Sequence, residues 1–352
     1  MNAFPVLTDG IITLSQLLPH EIEEHNAGED DELVRWLSEL PSTAESTTAW
    51  VERNIEHWRT SGPVRSFEVR DTTTGALAGN VEANWSLDWL QPGESNISWG
   101  IFPAFRGRRY ARRAITLVLR YLHELDGMHT AIAAVHPDNV AALAVAQSLG
   151  FSPFFEGENE GGRFIDHRFP LDAFTVLDSM HATDATGVTK LVAIAGRGGS
   201  GKTTLAAAVR GLDPSVQVVH LDDICVPKHA RTNDQIVDWA TLDALLTDLH
   251  AGRPGTYRRL DWDADELAEE HVVEPGGTVV IEGVGPYDVR VTDRYDLRVW
   301  VECEETEAFR RGLARDGEEL RPFWENEWIP QERRYVSEQQ PVARAHLVID
   351  TN

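Results

Sequence analysis

A nine-residue stretch constrains this chain more than any other. Gly196, Arg197, Gly198, Gly199, Ser200, Gly201, Lys202, Thr203 and Thr204 read GRGGSGKTT, with the spacing Gly-x-x-x-x-Gly-Lys-Thr. In such a run the glycines let the backbone fold until successive N–H groups point at phosphate oxygens. The lysine then reaches the β/γ-phosphates, and the next hydroxyl holds Mg2+. The arrangement needs a strand before it and a helix after it. "KLVAIA" and "TTLAAAVRGL" supply both, and the helix N-terminus adds a field favourable to an anion. Lysine is otherwise scarce: Lys190, Lys202 and Lys228 are the only three, and one of them occupies the lysine position of this loop. The loop begins past the middle of the chain, so something else must fold before it.

At 352 residues the chain is too long for one ordinary core, and two domains are expected. The apolar runs "LVAIAG" and "TVVIEGVG" are strand-sized and too short to cross a bilayer, so no membrane partner is expected. The N-terminus lacks the basic and apolar regions of a secretory signal. Two cysteines, Cys225 and Cys303, cannot build a disulfide framework. A reduced, cytoplasmic setting follows. A net charge of -25 argues against nucleic-acid binding, which needs a basic face. The same charge either steers cationic substrates or simply solvates the surface. The sequence contains neither His-Glu-x-x-His nor Cys-x-x-Cys, so no zinc site is expected.

The first half reads as mixed α+β. "SFEVRDTTTGALAGNVEANWSL" is strand, turn, strand, and "NISWGIF" is a further strand. "RRAITLVLRYLHEL" has helical apolar spacing, "TAIAAVH" returns to strand, and "PDNVAALAVAQSLGF" is a helix closed by Gly150. "GRFIDHRFPL" follows as a late strand. "DAFTVLDSMHATDATGVTK" is small and polar without strong periodicity, which places a linker at residues 176–187. The domains are then 1–175 and 188–352. In the second, strands and helices alternate and the strands are almost wholly apolar, which predicts an α/β fold with a parallel sheet sandwiched by helices.

Over about residues 188 to 351 the chain resembles the uridine kinase and phosphoribulokinase branch of P-loop kinases. "HLDDI" is similar to the family's strand-end aspartate that accepts the substrate hydroxyl proton. Asp222 matches that position best, with Asp223 its neighbour. "VDWATLDAL" resembles the segment that sets an aspartate, here Asp238, against the acceptor sugar. "YRRLDWDADEL" looks like the family's Tyr-Asp stretch, with Leu260 where tyrosine is usual. "VVIEGVG" implies that Glu282 assists the metal beside Thr203 and Asp222. "FRRGLARDG" resembles the arginine-rich lid, and "ARAHLVIDT" the closing strand. The resemblance implies ATP and Mg2+ as cofactors. Phosphoryl transfer needs positive charge and a carboxylate near the attacking hydroxyl. Lys202 with Arg311 or Arg315 supplies the first, and Asp222 the second. The alternative role for Asp222 is a turn cap, and for the arginines a solvated helix face. "DDIC" replaces the familiar Asp-x-Phe-Tyr, which leaves the acceptor open. Trp239 and Trp262 line an altered pocket or belong to the core.

In the first half, "WGIFPAFRGRRYARRAI" is a strand, a bend and a helix start carrying five arginines. Amides at a helix start with arginines around them suit a pyrophosphate. The run resembles the acetyl-CoA loop of the GNAT acetyltransferases, in the branch that includes ribosomal-protein N-acetyltransferases. Arg106 and Ala111 match the motif, and Arg109 stands where glycine is usual. The resemblance implies acetyl-CoA held at Arg106, Gly107, Arg108, Arg109, Tyr110 and Ala111. Asn139, in "VHPDNVAALAVAQSLGF", is implied near the pantetheine arm. The family's usual tyrosine after this motif is not evident. Glu82, in "GNVEANW", is a candidate general base or an exposed strand carboxylate.

The reading is a bifunctional transferase: an acetyl-CoA-dependent N-acetyltransferase ahead of an ATP- and Mg2+-dependent kinase for small hydroxyl compounds. Its alternative keeps the kinase, or an ATPase, and makes the first half a binding or dimerisation module. Small molecules are the expected partners, and oligomeric state stays open.

Overall fold

The computed structural model describes residues 4–38, 40–159, 162–231 and 236–352. The chain divides into two compact units between Leu171 and Asp172.

The first unit is built on one sheet. Its strands are β1 (Leu7–Thr8), β2 (Ile12–Ser15), β3 (Val64–Asp71), β4 (Leu77–Asn84), β5 (Glu94–Ile101), β6 (Thr130–Val135), β7 (Ser152–Asn159) and β8 (Gly162–Pro170), in the order β1-β2-β3-β4-β5-β6-β8-β7. Its helices include α1 (Ile22–Ala27), α2 (Ala44–Thr60), α3 (Tyr110–His123) and α4 (Val140–Leu149). Only β5 and β6 are parallel, joined by the crossover helix that a parallel pair requires. That pairing runs from Glu94↔Thr130 to Asn96↔Ile132 and stops. Among the described strands, residues 97–101 of β5 then pair with β4 alone, and residues 133–135 of β6 with β8 alone. Helix α3 buries Ala114, Ile115, Val118, Leu119 and Leu122, an i, i+4, i+8 stripe, against β4 and β5.

In the second unit the elements are α5 (Ala173–Ala182), β9 (Lys190–Gly196), α6 (Lys202–Leu212), β10 (Gln217–His220), α7 (Trp239–His250), β11 (Gly255–Asp261), β12 (Glu266–Val273), β13 (Thr278–Gly283), β14 (Leu297–Glu302), α8 (Glu305–Asp316), α9 (Ile329–Gln339) and β15 (Leu347–Asp350). Five strands form a wholly parallel sheet, β10-β13-β9-β14-β15. The central strand β9 is buried from Leu191 to Gly196, as a strand covered on both faces must be. Strands β11 and β12 form a separate antiparallel hairpin.

The boundary differs from the sequence expectation. Residues 173–182, where the polar linker was expected to begin, form α5, which packs on α6 and β14 within the second unit. Phe174, Val176, Leu177 and Met180 are buried, and Lys190 Nζ donates to the Met180 carbonyl. Thr175, Asp178 and Ser179 dilute the apolar stripe in the sequence, so the helical period is hard to read. Among the described residues no helix is long and apolar enough to cross a membrane.

Candidate functional site

In the first unit, β5 runs into Phe102 and Pro103, a short 3-10 turn follows, and α3 starts at Tyr110. Gly107 (φ 73°) and Arg109 (φ 62°) are both left-handed. Glycine adopts that conformation freely, whereas a side chain there costs about 1 kcal/mol or more. The backbone thus explains why glycine is usual where Arg109 stands. Among the described residues no side chain caps this helix start, so its first-turn amides have no acceptor within the helix.

The arginines divide into two groups. Arg106 faces inward: it grips both oxygens of Asp30 at 2.7 and 2.8 Å, reaches Glu32 at 2.9 Å, and donates through Nε to the Ile101 carbonyl at 3.0 Å. It holds Asp30 below the ordinary carboxylate range. Arg113 pairs with Asp9, and Arg112 donates to the Ser148 carbonyl. Arg108 and Arg109 are exposed and form no ion pair among the described residues; Arg108 lies 5.4 Å from the Phe105 ring centre. Tyr110 is buried and its hydroxyl donates to Asp71. Ala111 is half-buried in the first turn of α3. Asn139 caps α4, its side-chain oxygen accepting from the Ala142 N–H at 3.0 Å.

Glu82 is half-buried on β4, directly opposite Ser66 of β3, whose hydroxyl donates to the Glu82 carboxylate. Two residues along β3 from Ser66, and therefore on the same face, stands Glu68. It is fully buried, with Oε2 3.1 Å from His25 Nδ1. Its Oε1 is buried without a hydrogen-bond partner among the described residues, beside a small cavity lined also by Ser66, Trp50 and Asn54. Burial pushes the Glu68 pKa up. Burial also works against the charged form of His25, but Glu68 outweighs it and raises the imidazole pKa. Neither residue was foreseen. The signal available was one acidic residue on the buried strand "SFEVR".

In the second unit, Gly199 and Gly201 are left-handed (φ 80° and 91°), and a Cβ on Gly199 would collide with the Ala308 carbonyl. As at Arg109, no side chain caps the following helix at Gly201 among the described residues. Lys202 is buried and its Nζ donates to the Arg197 carbonyl at 2.9 Å. Arg197 itself pairs with Glu305 at 3.5 Å, and the Ser200 carbonyl accepts from Thr351. Thr204 is half-buried one residue beyond Thr203.

The Thr203 hydroxyl donates to Glu282 at 3.1 and 3.2 Å from its two oxygens. Glu282 is buried at the end of β13, opposite His220 at the end of β10, with Nδ1 2.6 Å from Oε1. His220 was not foreseen; only the strand pairing reveals it. Its pKa is raised, chiefly by the hydrogen bond with Glu282.

Asp222 follows in the turn after β10. Its surface is open to solvent, but protein crowds it on most sides and raises its pKa against the pull of Lys202. Arg315 pairs with Asp316 and also lies within the field of Asp222 and Glu282. Arg311 is held elsewhere, by Glu307 at 2.7 Å and the Thr351 carbonyl at 2.9 Å. Asp238 caps α7, accepting from the Thr241 N–H at 3.1 Å. Trp262 donates to the Asp222 carbonyl at 3.2 Å and is 39% exposed, whereas Trp239 packs against the core beneath Arg290. The structure thus brings Lys202, Thr203, Asp222, Glu282, His220 and Arg315 together. Among the described residues no group of three or more His, Cys, Asp or Glu side chains is assembled around a metal position.

Residues 12–152 match the model of the acetyltransferase (GNAT) domain. The first unit therefore carries a GNAT-type acetyltransferase domain with its mixed sheet. Three solved structures are similar to that part of the chain. A ribosomal-protein-S5-alanine acetyltransferase from Vibrio fischeri is 15% identical, with a TM-score of 0.43, covering 48% of this chain and 97% of its own. RimJ of Mycobacterium smegmatis, in complex with CoA-disulfide, is 13% identical, with a TM-score of 0.41, covering 47% and 85%. A GNAT-family acetyltransferase from Bacillus anthracis is 16% identical, with a TM-score of 0.39, covering 47% and 96%. No curated protein matches the chain.

Proposed function

We propose that the chain is a bifunctional transferase, in which the GNAT-type unit acetylates an amine from acetyl-CoA and the second unit phosphorylates a small hydroxyl compound from ATP. One observation supports both halves. Each unit starts a helix with an uncapped, left-handed residue beside free or buried cations: Arg109 before α3, Gly201 before α6. Uncapped first-turn amides are donors for an external anion. Helices α2, α4 and α7 have their starts closed by Thr43, Asn139 and Asp238, and α1, α5, α8 and α9, though without a side-chain cap, start from residues of negative φ.

In the first unit the amides of the bend would hold the pyrophosphate of acetyl-CoA, with Arg108 and Arg109 as its cations and Arg106 as the brace that shapes the bend. Glu82 takes the proton of the attacking amine, and Ser66 orients it. The strand edges of β5 and β6 beyond their shared pairing offer main-chain groups to the pantetheine amides.

In the second unit Lys202 and Arg315 face the phosphates, and Asp222 takes the proton of the acceptor hydroxyl. The oxygen atoms of Thr203, Glu282 and Asp222 would hold Mg2+, which would supply charge neutralisation. Trp262 beside Asp222 provides an apolar wall for the acceptor.

Mass spectrometry of a metabolite pool incubated with the full chain, ATP and acetyl-CoA tests this reading. Compounds gaining phosphoryl mass and compounds gaining acetyl mass are expected, the first lost in Lys202→Ala. A pool that gains only phosphoryl mass would return the first unit to the role of a binding module, and a pool unchanged in both would remove the proposal.

A further inference from the structure

The phosphate loop already holds a carboxyl group of its own. Glu332, on α9, is 5% exposed, and its Oε1 accepts the Gly198 N–H at 2.6 Å. The contact is built in. A Cβ on Gly198 would meet Trp324 at 2.7 Å, Trp328 Nε1 at 2.9 Å and Glu332 Oε1 at 3.0 Å, so only glycine lets this cover close. Lys202 and Arg197 lie within the field of the carboxylate. Burial pushes the Glu332 pKa up, and the Gly198 amide, Lys202 and Arg197 pull against it without cancelling it.

The consequence follows from charge. An amide that donates to one carboxyl oxygen is lost to another acceptor, and a carboxylate beside a bound phosphate repels it in proportion to the negative charge brought close. We infer that Glu332 is a specificity-determining residue of this loop, one that grades donors by the negative charge they bring to the Gly198 amide. The inference rests on the nucleotide-binding reading of the second unit. It goes further by naming which donors are disfavoured and by which residue. Glu332→Gln keeps an oxygen for the amide and removes the charge, while Glu332→Ala removes both.

Titration calorimetry of the full chain with ATP, ADP and AMP, each with Mg2+, decides it. In Glu332→Gln the ATP affinity rises about tenfold, the ADP affinity rises less, and AMP is unchanged. Glu332→Ala moves the ATP-to-ADP ratio in the same direction. Because the ratio is taken within one protein sample, a loss of folded fraction does not alter it. An unchanged ratio in both variants, with ATP binding still lost in Lys202→Ala, overturns the inference and leaves the nucleotide reading intact. Absence of any Lys202-dependent nucleotide binding in wild type and variants alike overturns both.

Discussion

At the scale of single residues, the two loops show how one side chain is assigned work that its motif position does not announce. Arg106 occupies the motif's arginine position, yet its guanidinium is consumed by Asp30, Glu32 and the Ile101 carbonyl. Its acidic partners lie more than seventy positions away in sequence, so nothing local betrays them. Arg109 was read as a departure, and the backbone gives the departure its meaning: the position needs a positive φ whatever residue fills it.

The Arg106–Asp30 pair carries a pH signature. Asp30 has its pKa lowered, chiefly by the hydrogen bond from Arg106. A depressed carboxylate contributes stability above its unfolded pKa and loses it as pH falls through the folded value. Arg106→Gln is therefore expected to cost up to about 1 kcal/mol near neutrality, since both partners are one-third exposed. Denaturant melts should show the deficit shrinking as pH drops below the ordinary carboxylate range. A deficit that is constant into acid would show that the ion pair is not its source.

At the scale of elements, legibility tracked locality. The strand, loop and helix around Lys202 were readable because each signal lies within about twenty residues and the glycine spacing admits few conformations. Strands β3 to β6 were readable from turn residues and apolar runs. The hairpin β11–β12 was not: β12 is largely exposed, and a bulge between Arg258 and Leu260 breaks the alternation of β11. The pairing of β10 with β13, which sets His220 against Glu282, joins positions 62 apart and is fixed only by the sheet order. Glu68 with His25, and Glu332 with Gly198, were invisible for the same reason.

Helix α5 sharpens the contrast, because a polar linker and a packed helix predict different energetics. Phe174 is 2% exposed in the second unit. Phe174→Ala should cost about 3 kcal/mol of that unit's stability, the usual penalty for emptying a buried aromatic site. Chemical denaturation of the full chain, followed in parallel by nucleotide binding, measures it. No shift of the midpoint would mean that residues 173–182 do not belong to the packed unit.

At the scale of the molecule, the central claim is that one chain carries two separate donor sites, each made of helix-start amides and nearby cations. The net charge of -25 raises the contrast. On so acidic a protein an anionic donor needs amides and cations gathered locally, and the two proposed sites draw on the exposed Arg108 and Arg109 and on the buried Lys202.

Titration calorimetry with acetyl-CoA and with ATP, on the full chain and two variants, tests this most directly. Arg108→Ala combined with Arg109→Ala should weaken acetyl-CoA about tenfold or more and leave ATP unchanged, and Lys202→Ala should do the reverse. Loss of both ligands in either variant, or of neither in both, would contradict the account.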